Sequence, residues 1–255
     1  MRIAVFADVH GNLPALDAVL DDARRQRVEQ WLCLGDVAFR GPAPEECIRR
    51  VRSLGGALAA VQGNTEEWLP VGPPEGEGGD PERRAAIKKW WDWTIVRMDA
   101  DDLRWVESLP MSRVFECGPY RVLCVHATTL GYEDVLRPTA ADERFEAALR
   151  TRDHTHAACA HIHTPYLLRV RGTTVFNTGS VGRPIDGDPR ASYVVLELGG
   201  CDQGRAGAAE AASEVASVQF RRVPYDIDET ARLAATRGFP WAEEYIEALR
   251  RGVNY

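Results

Sequence analysis

Three short apolar segments alternate with two helical segments over the first 62 residues of this chain. The apolar segments span residues 2–7, 30–34 and 57–62, and segments with helical patterning at 13–27 and 44–54 separate them. Strands that are apolar at successive positions are typical of a parallel sheet covered on both faces. The order strand, helix, strand, helix, strand therefore predicts a parallel sheet flanked by helices, which is an α/β arrangement.

The pattern changes after residue 66. A stretch rich in Pro and Gly at 70–80 is typical of a mobile connector, and helical segments follow at 81–98 and 100–108. We interpret residues 66–110 as a helical insertion that lies over or beside the core.

From residue 112 onward the chain is rich in predicted strands, with one clear helix at about 139–151. Residues 199–213 are expected to form a flexible surface excursion, and residues 226–255 a helical tail. We expect one domain over residues 1–255. The strands predicted in this part are 112–117, 120–125, 157–160, 166–170, 173–177, 192–198 and 215–222.

The composition excludes several classes of protein. The net charge of −7 argues against a protein that coats long nucleic acids. No apolar stretch approaches the ~20 residues of a membrane span, and the N-terminus begins with a strand instead of a signal peptide. We therefore expect a soluble cytoplasmic protein with no membrane contact. The six cysteines lack CxxC spacing and mostly lie in apolar runs, which favours buried thiols over disulfides or a zinc ribbon.

Five of the apolar segments end in side chains that can bind a metal ion. Ligands of open α/β sheets bind beyond the carboxyl ends of the strands, so these positions converge on one edge. Four of the six histidines in the chain are among them. The candidate metal ligands are Asp8, His10, Asp36, Asn64, His126, His161 and His163.

The donor set predicts two cations. Imidazole nitrogens with carboxylate or amide oxygens, and without thiolates, suit Mn²⁺, Fe, Co²⁺, Ni²⁺ or Zn²⁺. Seven ligands exceed what one ion needs, whereas two ions sharing one carboxylate would use them all. Two such ions outweigh the two carboxylates in charge, so the site would attract a phosphate and acidify a bridging water.

Each candidate also has an ordinary structural role open to it. Asp8 could cap a helix, and Asp36 and Asn64, each after a glycine, could form turns. A lone histidine such as His126 is more often a hydrogen-bonded core residue than a ligand. The joint occurrence of all seven at strand ends is what favours a dinuclear site.

These residues resemble the motifs of the calcineurin-like metallophosphoesterase superfamily. The DxH motif corresponds to Asp8 and His10, GDxxxxG to residues 35–41, and the Asn-containing motif to residues 63–66. A lone His126 and the pair in residues 160–163 complete the set. The resemblance covers about residues 1–225. The segments DVHGN, FNTGSVGRP, RASYVVLEL and FRRVPYD make it closest to small bacterial phosphodiesterases, some of which act on diadenosine polyphosphates.

The resemblance implies a four-layer αββα sandwich, an α/β fold that some schemes class as α+β, with two metal ions at its crest. In the family mechanism a metal-bridging hydroxide attacks phosphorus in line. Asp36, Asn64 and His126 are expected to be catalytic. One ion would take Asp8, His10, Asp36 and His163, and the other Asp36, Asn64, His126 and His161, with Asp36 bridging.

Two positions depart from the family pattern. Ala160 replaces the usual glycine before the histidine pair, a change that we expect to be tolerated. Thr65 stands where many relatives carry a histidine that protonates the leaving group, and a hydroxyl is a poor proton donor. We therefore expect a phosphodiester or pyrophosphate-type substrate instead of a phosphomonoester.

The expected partner is a small phosphodiester or a nucleotide, and Mn²⁺ is the first metal to test. Candidate substrate-binding residues are Arg40, Thr65 and Arg183. The insertion tryptophans have helical spacing, which favours packing over substrate contact. His154 and His156 are expected on the surface. The amphipathic tail either packs within the chain or forms a contact between two copies, which leaves a homo-oligomer open.

Three other functions fit parts of the pattern. A non-catalytic scaffold of this fold would characteristically have lost ligands, whereas all seven positions here carry one. A serine/threonine protein phosphatase would need an open groove, against which the insertion and Thr65 both argue. A nuclease acting on long nucleic acid conflicts with the acidic composition.

Overall fold

The computed structural model describes residues 1–75, 77–201 and 216–254 of the chain. Its strands follow the predicted ones closely. They are β1 (Arg2–Phe6), β2 (Gln30–Cys33), β3 (Leu58–Ala60), β4 (Ser112–Cys117), β5 (Tyr120–Val125), β6 (His156–Cys159), β7 (Tyr166–Val170), β8 (Thr173–Asn177), β9 (Ala191–Leu198) and β10 (Ala216–Val223).

The helices begin close to the predicted positions, with one addition. An unpredicted helix starts at Asn64, shortly after the third strand, with Gly63 in an extended conformation at its N-cap and its N–H donating to the Glu66 carboxylate. The helices are α1 (Leu13–Arg25), α2 (Pro44–Arg52), α3 (Asn64–Val71), α4 (Pro81–Ile95), α5 (Ala100–Glu107), α6 (Asp142–Leu149), α7 (Ile227–Thr236) and α8 (Ala242–Arg251). None of these described helices has the length and apolar character that a bilayer crossing requires.

The described strands form two mixed sheets of five strands each. The first sheet has the order β10-β9-β1-β2-β3, with β1, β2 and β3 parallel as predicted and β9 and β10 antiparallel to their neighbours. The second has the order β4-β5-β6-β8-β7, with β5, β6 and β8 parallel. The carboxyl ends of the parallel strands within each sheet therefore meet at one edge.

Alternate side chains of the central strand enter two different cores. Ile3 and Val5 pack against Val122 and Phe176 of the second sheet, so the two sheets face each other. Ala4 and Phe6 point the other way, into a core that helices α1 and α2 cover. Helix α6 covers the outer face of the second sheet through Phe145. These layers form the four-layer αββα sandwich, and the predicted fold class is confirmed.

The insertion and the C-terminal tail pack against each other. Trp68 of α3 and Trp90 of α4 share one apolar cluster with Phe239, Tyr245 and other residues of the tail. Three helices of the insertion and both tail helices thus lie beside the two sheets, and the tail has packing partners within its own chain. Trp91 and Trp93 join this cluster, while Trp105 packs on the first sheet's outer core.

Two expectations from the sequence are wrong. Cys117 and Cys201 form a disulfide between β4 and the end of β9, whereas the other four cysteines are buried thiols as predicted. His156 is buried in the first position of β6 and is not a surface residue, because its ring packs against Tyr120. The excursion predicted at 199–213 falls mostly outside the described residues.

Candidate metal centre

The loops after β1, β2 and β6 bring four of the predicted ligands together. The Nε2 atom of His163 lies 3.4 Å from Asp8 Oδ1, and that of His10 lies 3.7 Å from the same oxygen. His10 Nε2 is also 3.7 Å from Asp36 Oδ2. All four side chains are buried or nearly so. Their ligand atoms are close enough to surround a single cation.

A second group shares Asp36 with the first. The other oxygen of this carboxylate, Oδ1, lies 3.6 Å from His126 Nε2. That nitrogen is in turn 3.0 Å from Asn64 Oδ1 and 3.2 Å from His161 Nδ1. Asp36 therefore stands between the two groups and turns one oxygen toward each, which is the arrangement expected of a bridging ligand.

Backbone carbonyls fix the tautomers of the first two histidines. His10 Nδ1 lies 2.8 Å from the carbonyl oxygen of Phe39, and His163 Nδ1 lies 2.6 Å from that of Arg183. A carbonyl only accepts, so each Nδ1 must carry the proton. Each Nε2 then presents a lone pair, yet the two Nε2 atoms are only 3.0 Å apart. Two facing lone pairs repel each other unless a cation lies beside both of them.

The same conflict occurs in the second group. His126 Nδ1 lies 2.8 Å from the carbonyl oxygen of Leu34, so His126 Nε2 is also an acceptor. It faces the amide oxygen of Asn64, another acceptor. Burial by itself lowers the pKa of His126, but the carboxylates of Asp36 and Asp8 outweigh it and raise the pKa. This histidine thus attracts positive charge at Nε2, where a metal ion would supply it.

One carboxylate oxygen at the centre has no hydrogen-bond donor. Asp8 is fully buried, and its Oδ1 atom has no partner within the part of the chain that the structure describes. Its other oxygen accepts from the backbone N–H of His161 at 3.1 Å. A buried ionised oxygen without a donor is costly, and coordination to a cation removes that cost. The residues present therefore fit a metal ion.

Ionisation states at this site also favour metal binding. Burial lowers the pKa of His10 to about 3, and burial together with the neighbouring His126 lowers that of His161 to about 4. Burial alone would raise the pKa of Asp8 and Asp36, but the surrounding histidines outweigh it and lower both pKa values. Neutral imidazoles and ionised carboxylates are the forms that bind metals.

Most of the candidate ligands have a backbone conformation that favours glycine. Residues other than glycine lose roughly 1–2 kcal/mol in the left-handed region. Strain of this kind persists where the surrounding structure imposes it, and it clusters at functional sites. The five ligands with positive φ are Asp8 (54°), His10 (47°), Asp36 (54°), His161 (68°) and His163 (55°).

Two residues of the motif at 63–66 hold the loop that carries Asp36. The buried Glu66 carboxyl accepts hydrogen bonds from the backbone N–H groups of Asp36 and Val37, at 2.5 and 2.7 Å. Burial and the charge of Asp36 raise the pKa of Glu66 to about 7. Thr65 is also buried and donates to Asp36, so the structure gives it a different partner from the substrate contact that the sequence suggested.

The two candidate arginines lie together beside the first ligand group. Arg40 and Arg183 both line a cavity of about 380 Å³, which Trp90 of α4 and Trp241 also line. The guanidinium of Arg40 lies 5.3 Å from the Trp90 ring centroid. That of Arg183 donates to Asn254 Oδ1 at 3.1 Å. Both arginines therefore line the wall of the same cavity.

A further acidic residue lies near the second group and was not predicted from the sequence. Glu133 lies in the irregular segment after β5, close to Asn64. Burial, and then the negative charge of Glu77, raises the pKa of Glu133 to about 7. No motif or periodicity marks Glu133, so only the tertiary structure places it at the site.

Comparison with known proteins identifies the class of protein that this fold and site define. The model of the calcineurin-like phosphoesterase superfamily domain matches residues 1–200. The chain belongs to the calcineurin-like phosphoesterase superfamily, as its motifs predicted. Membership makes it a phosphoester hydrolase of a family that uses divalent metal ions, and two groups of its side chains, Asp8 with His10 and His163 and Asp8 with Asp36 and His126, could hold a metal ion.

Two curated proteins are similar in sequence. An uncharacterised protein of Methanocaldococcus jannaschii is 30% identical over 206 residues, which cover 76% of this chain and 82% of that protein. A symmetrical bis(5'-nucleosyl)-tetraphosphatase of Erwinia tasmaniensis is 26% identical over 152 residues, covering 58% of this chain and 52% of its own.

Two solved structures share the whole fold. A metallophosphoesterase from Sphaerobacter thermophilus has 29% identity and a TM-score of 0.73, over 99% of this chain and 100% of that one. A hypothetical protein from Pyrococcus horikoshii has 20% identity and a TM-score of 0.76, over 100% of this chain and 99% of that one.

Proposed function

We propose that this protein is a dinuclear metal-dependent phosphoesterase that cleaves a phosphodiester or pyrophosphate bond in a small nucleotide-like substrate. The observation that carries the proposal is the position of Asp36, with Oδ2 facing His10 and Oδ1 facing His126. Imidazole nitrogens and carboxylate oxygens converge on both sides of this carboxylate. Two cations would satisfy both sides.

Each of the two ligand groups would hold one ion. The first cation would be held by Asp8, His10, Asp36 and His163, and the second by Asp36, Asn64, His126 and His161. When bound, the cations supply Lewis acidity to a phosphoryl group and acidify water at neutral pH. Mn²⁺ is proposed as the native metal, although the same nitrogen and oxygen donors also suit Fe, Co²⁺, Ni²⁺ and Zn²⁺.

The proposed preference for diesters rests on the hydrogen bond that the Thr65 hydroxyl donates to Asp36. Its hydroxyl donates to Asp36 Oδ1 at 2.8 Å, so this proton is not directed at a leaving group. A substrate with a good leaving group, such as a pyrophosphate or an activated diester, depends less on a proton donor. Arg40 and Arg183 add positive charge on the other side of the first ligand group, where phosphate oxygens would lie.

The similarity to a symmetrical bis(5'-nucleosyl)-tetraphosphatase supports a nucleotide substrate. A serine/threonine protein phosphatase is disfavoured, because helices α4 and α8 wall the cavity beside the metal centre. A scaffold role is disfavoured as well, because Asp8 Oδ1 is buried without a hydrogen-bond partner among the described residues, and a chain released from catalysis would not retain this cost.

Metal analysis with a substrate panel tests the proposal. Purified protein, depleted with a chelator and reloaded separately with each first-row cation, should retain two ions per chain after dialysis. Loaded with Mn²⁺, it should hydrolyse bis-p-nitrophenyl phosphate faster than p-nitrophenyl phosphate. A stoichiometry of one or none would overturn the dinuclear site. Faster hydrolysis of the monoester would overturn the substrate preference while leaving the metal assignment intact.

A further inference from the structure

An aromatic and cationic cavity opens between the insertion and the C-terminal tail. It has a volume of about 380 Å³, within the range of about 300–1,000 Å³ that small-molecule sites occupy. Trp90 of α4 and Trp241, directly before α8, form one corner of it, with ring centroids 5.2 Å apart and planes at 68°. The residues that line it also include Arg40, Arg83, Arg183, Glu244 and Asn254.

The backbone connects this cavity directly to the metal centre. Arg40 follows Phe39, whose carbonyl accepts the hydrogen bond from His10 Nδ1, and the carbonyl of Arg183 accepts from His163 Nδ1. Both arginines therefore stand between the first ligand group and the aromatic corner.

The charge of the cavity differs from that of the whole chain. The chain carries a net charge of −7, yet among the described residues three arginines and one glutamate line this cavity. Arg40 stands 5.3 Å from the Trp90 ring centroid, so cationic and aromatic surfaces are continuous. Phosphate groups match the arginines, and a flat aromatic ring matches the tryptophan corner.

We propose that this cavity is the nucleoside subsite of the enzyme. The base of a nucleotide packs against Trp241 and Trp90, and the phosphates that join it to the scissile bond lie on Arg40 and Arg183. Asn254 and Glu244 line the same cavity and offer polar groups to a sugar or to the edge of the base. The inference rests on the proposed function, since it names the substrate class of that same site.

Paired substrates test the subsite without changing the leaving group. Thymidine 5'-(p-nitrophenyl phosphate) and methyl p-nitrophenyl phosphate release the same phenol and differ only in the nucleoside. The wild-type protein should show about tenfold higher kcat/KM for the nucleoside ester, from base stacking. Trp241→Leu should remove most of that preference, measured as the ratio of the two kcat/KM values in the same variant. Trp241→Phe, which keeps an aromatic ring, should retain it.

A matched control comes from helix α4, which also carries Trp90. Trp91 belongs to the same apolar cluster but lines a different cavity, with Val71 and Lys88. Trp91→Leu should leave the preference for the nucleoside ester unchanged, and circular dichroism would verify that each variant is folded. Equal kcat/KM values of the wild-type protein for both esters would overturn the subsite.

A binding measurement separates this inference from the proposed function. Calorimetric titration of the metal-loaded wild-type protein with AMP and with ribose 5-phosphate needs neither turnover nor a variant. AMP should bind at least about tenfold more tightly, because only AMP carries a base. Equal affinities would refute the subsite even in an active enzyme. Tight AMP binding without hydrolysis of any diester would support the subsite and refute the proposed reaction.

Discussion

Thr65 donates two hydrogen bonds to the same oxygen of Asp36, from its backbone N–H at 3.0 Å and from its hydroxyl at 2.8 Å. That oxygen is the one that faces His126, so the first turn of α3 directly orients the carboxylate shared by both ligand groups. Removal of a hydrogen bond that orients a metal ligand typically lowers metal affinity or activity by about 10–100-fold.

Thr65→Val removes the hydroxyl donor and keeps the shape of the side chain. We expect Mn²⁺ affinity to fall at least about tenfold, because Asp36 loses one of two donors that fix its orientation. Isothermal titration of the chelator-treated protein measures this. Thr65→Ser, which retains the hydroxyl, should bind Mn²⁺ almost as the wild type does. Unchanged affinity in the valine variant would show that the hydroxyl does not position Asp36.

Asp36→Asn should remove nearly all hydrolysis of a diester substrate. The amide keeps the size of the side chain but loses the negative charge between the two groups, so both ions bind more weakly. Retention of more than about a tenth of the wild-type rate, a loss below ~1.4 kcal/mol in activation free energy, would argue against bridging. Asp21→Asn, at an exposed carboxylate paired with Arg24, is the matched control and should be fully active.

Removal of the metal should lower thermal stability. Without cations, the facing Nε2 atoms of His10 and His163 repel, and Asp8 Oδ1 has no donor. Mn²⁺ at about 100 times its dissociation constant contributes ~2.7 kcal/mol, which corresponds to a rise of about 5–10 °C in Tm. Differential scanning fluorimetry with and without a chelator measures it. A Tm that does not change with Mn²⁺ would contradict the metal centre. In Asp36→Asn, the rise in Tm on adding Mn²⁺ should be smaller than in the wild type.

In the metal-free protein, the contribution of His10 and His161 to stability should fall as the pH falls below 6.5, against the opposite trend of Glu66 and Glu133, whose pKa values are raised to about 7. His10 and His161 titrate at about 3 and about 4 in the folded chain, both below the ordinary histidine value. Between those values and about 6.5, the unfolded chain binds more protons than the folded chain. Stability from these groups is therefore complete above about pH 6.5 and is lost progressively toward pH 4. Urea denaturation of the wild type and of the double variant His10→Gln with His161→Gln isolates this contribution, and the stability of the variant relative to the wild type should rise as the pH falls from 6.5 toward 4.

Gly41→Ala should destabilise the loop that closes the metal centre. A methyl group at this position would lie 1.8 Å from the carbonyl oxygen of His10, which is backbone and cannot move aside. We expect a loss of about 1–3 kcal/mol in the free energy of unfolding, together with weaker Mn²⁺ binding. Gly56→Ala is the control, since a methyl group there meets nothing within 4 Å. Equal stability of the two variants would refute the steric argument.

Strand and helix periodicity predicted the two sheets of this protein well. The apolar runs that end at Asp8, Asp36 and His126 are local patterns, and each strand formed where its run predicted it. The candidate ligands were also visible in the sequence, because parallel strands bring their carboxyl ends to one edge and each of these residues follows such an end. The motif for residues 63–66 was likewise local, although it did not show that Thr65 turns its hydroxyl toward Asp36.

Contacts between distant segments were decided only by the tertiary structure. Trp90 meets Trp241 across 151 residues of sequence, and Cys117 meets Cys201 across 84. The periodicity of a segment predicts that its apolar face will be buried. It does not specify which other segment will cover that face. Glu133 reaches the metal centre from an irregular segment for the same reason. The sequence by itself determined the strands, the ligand types and the family. Packing between layers decided which side chains surround the site, because side chains are buried against neighbours that are close in space and often distant along the chain.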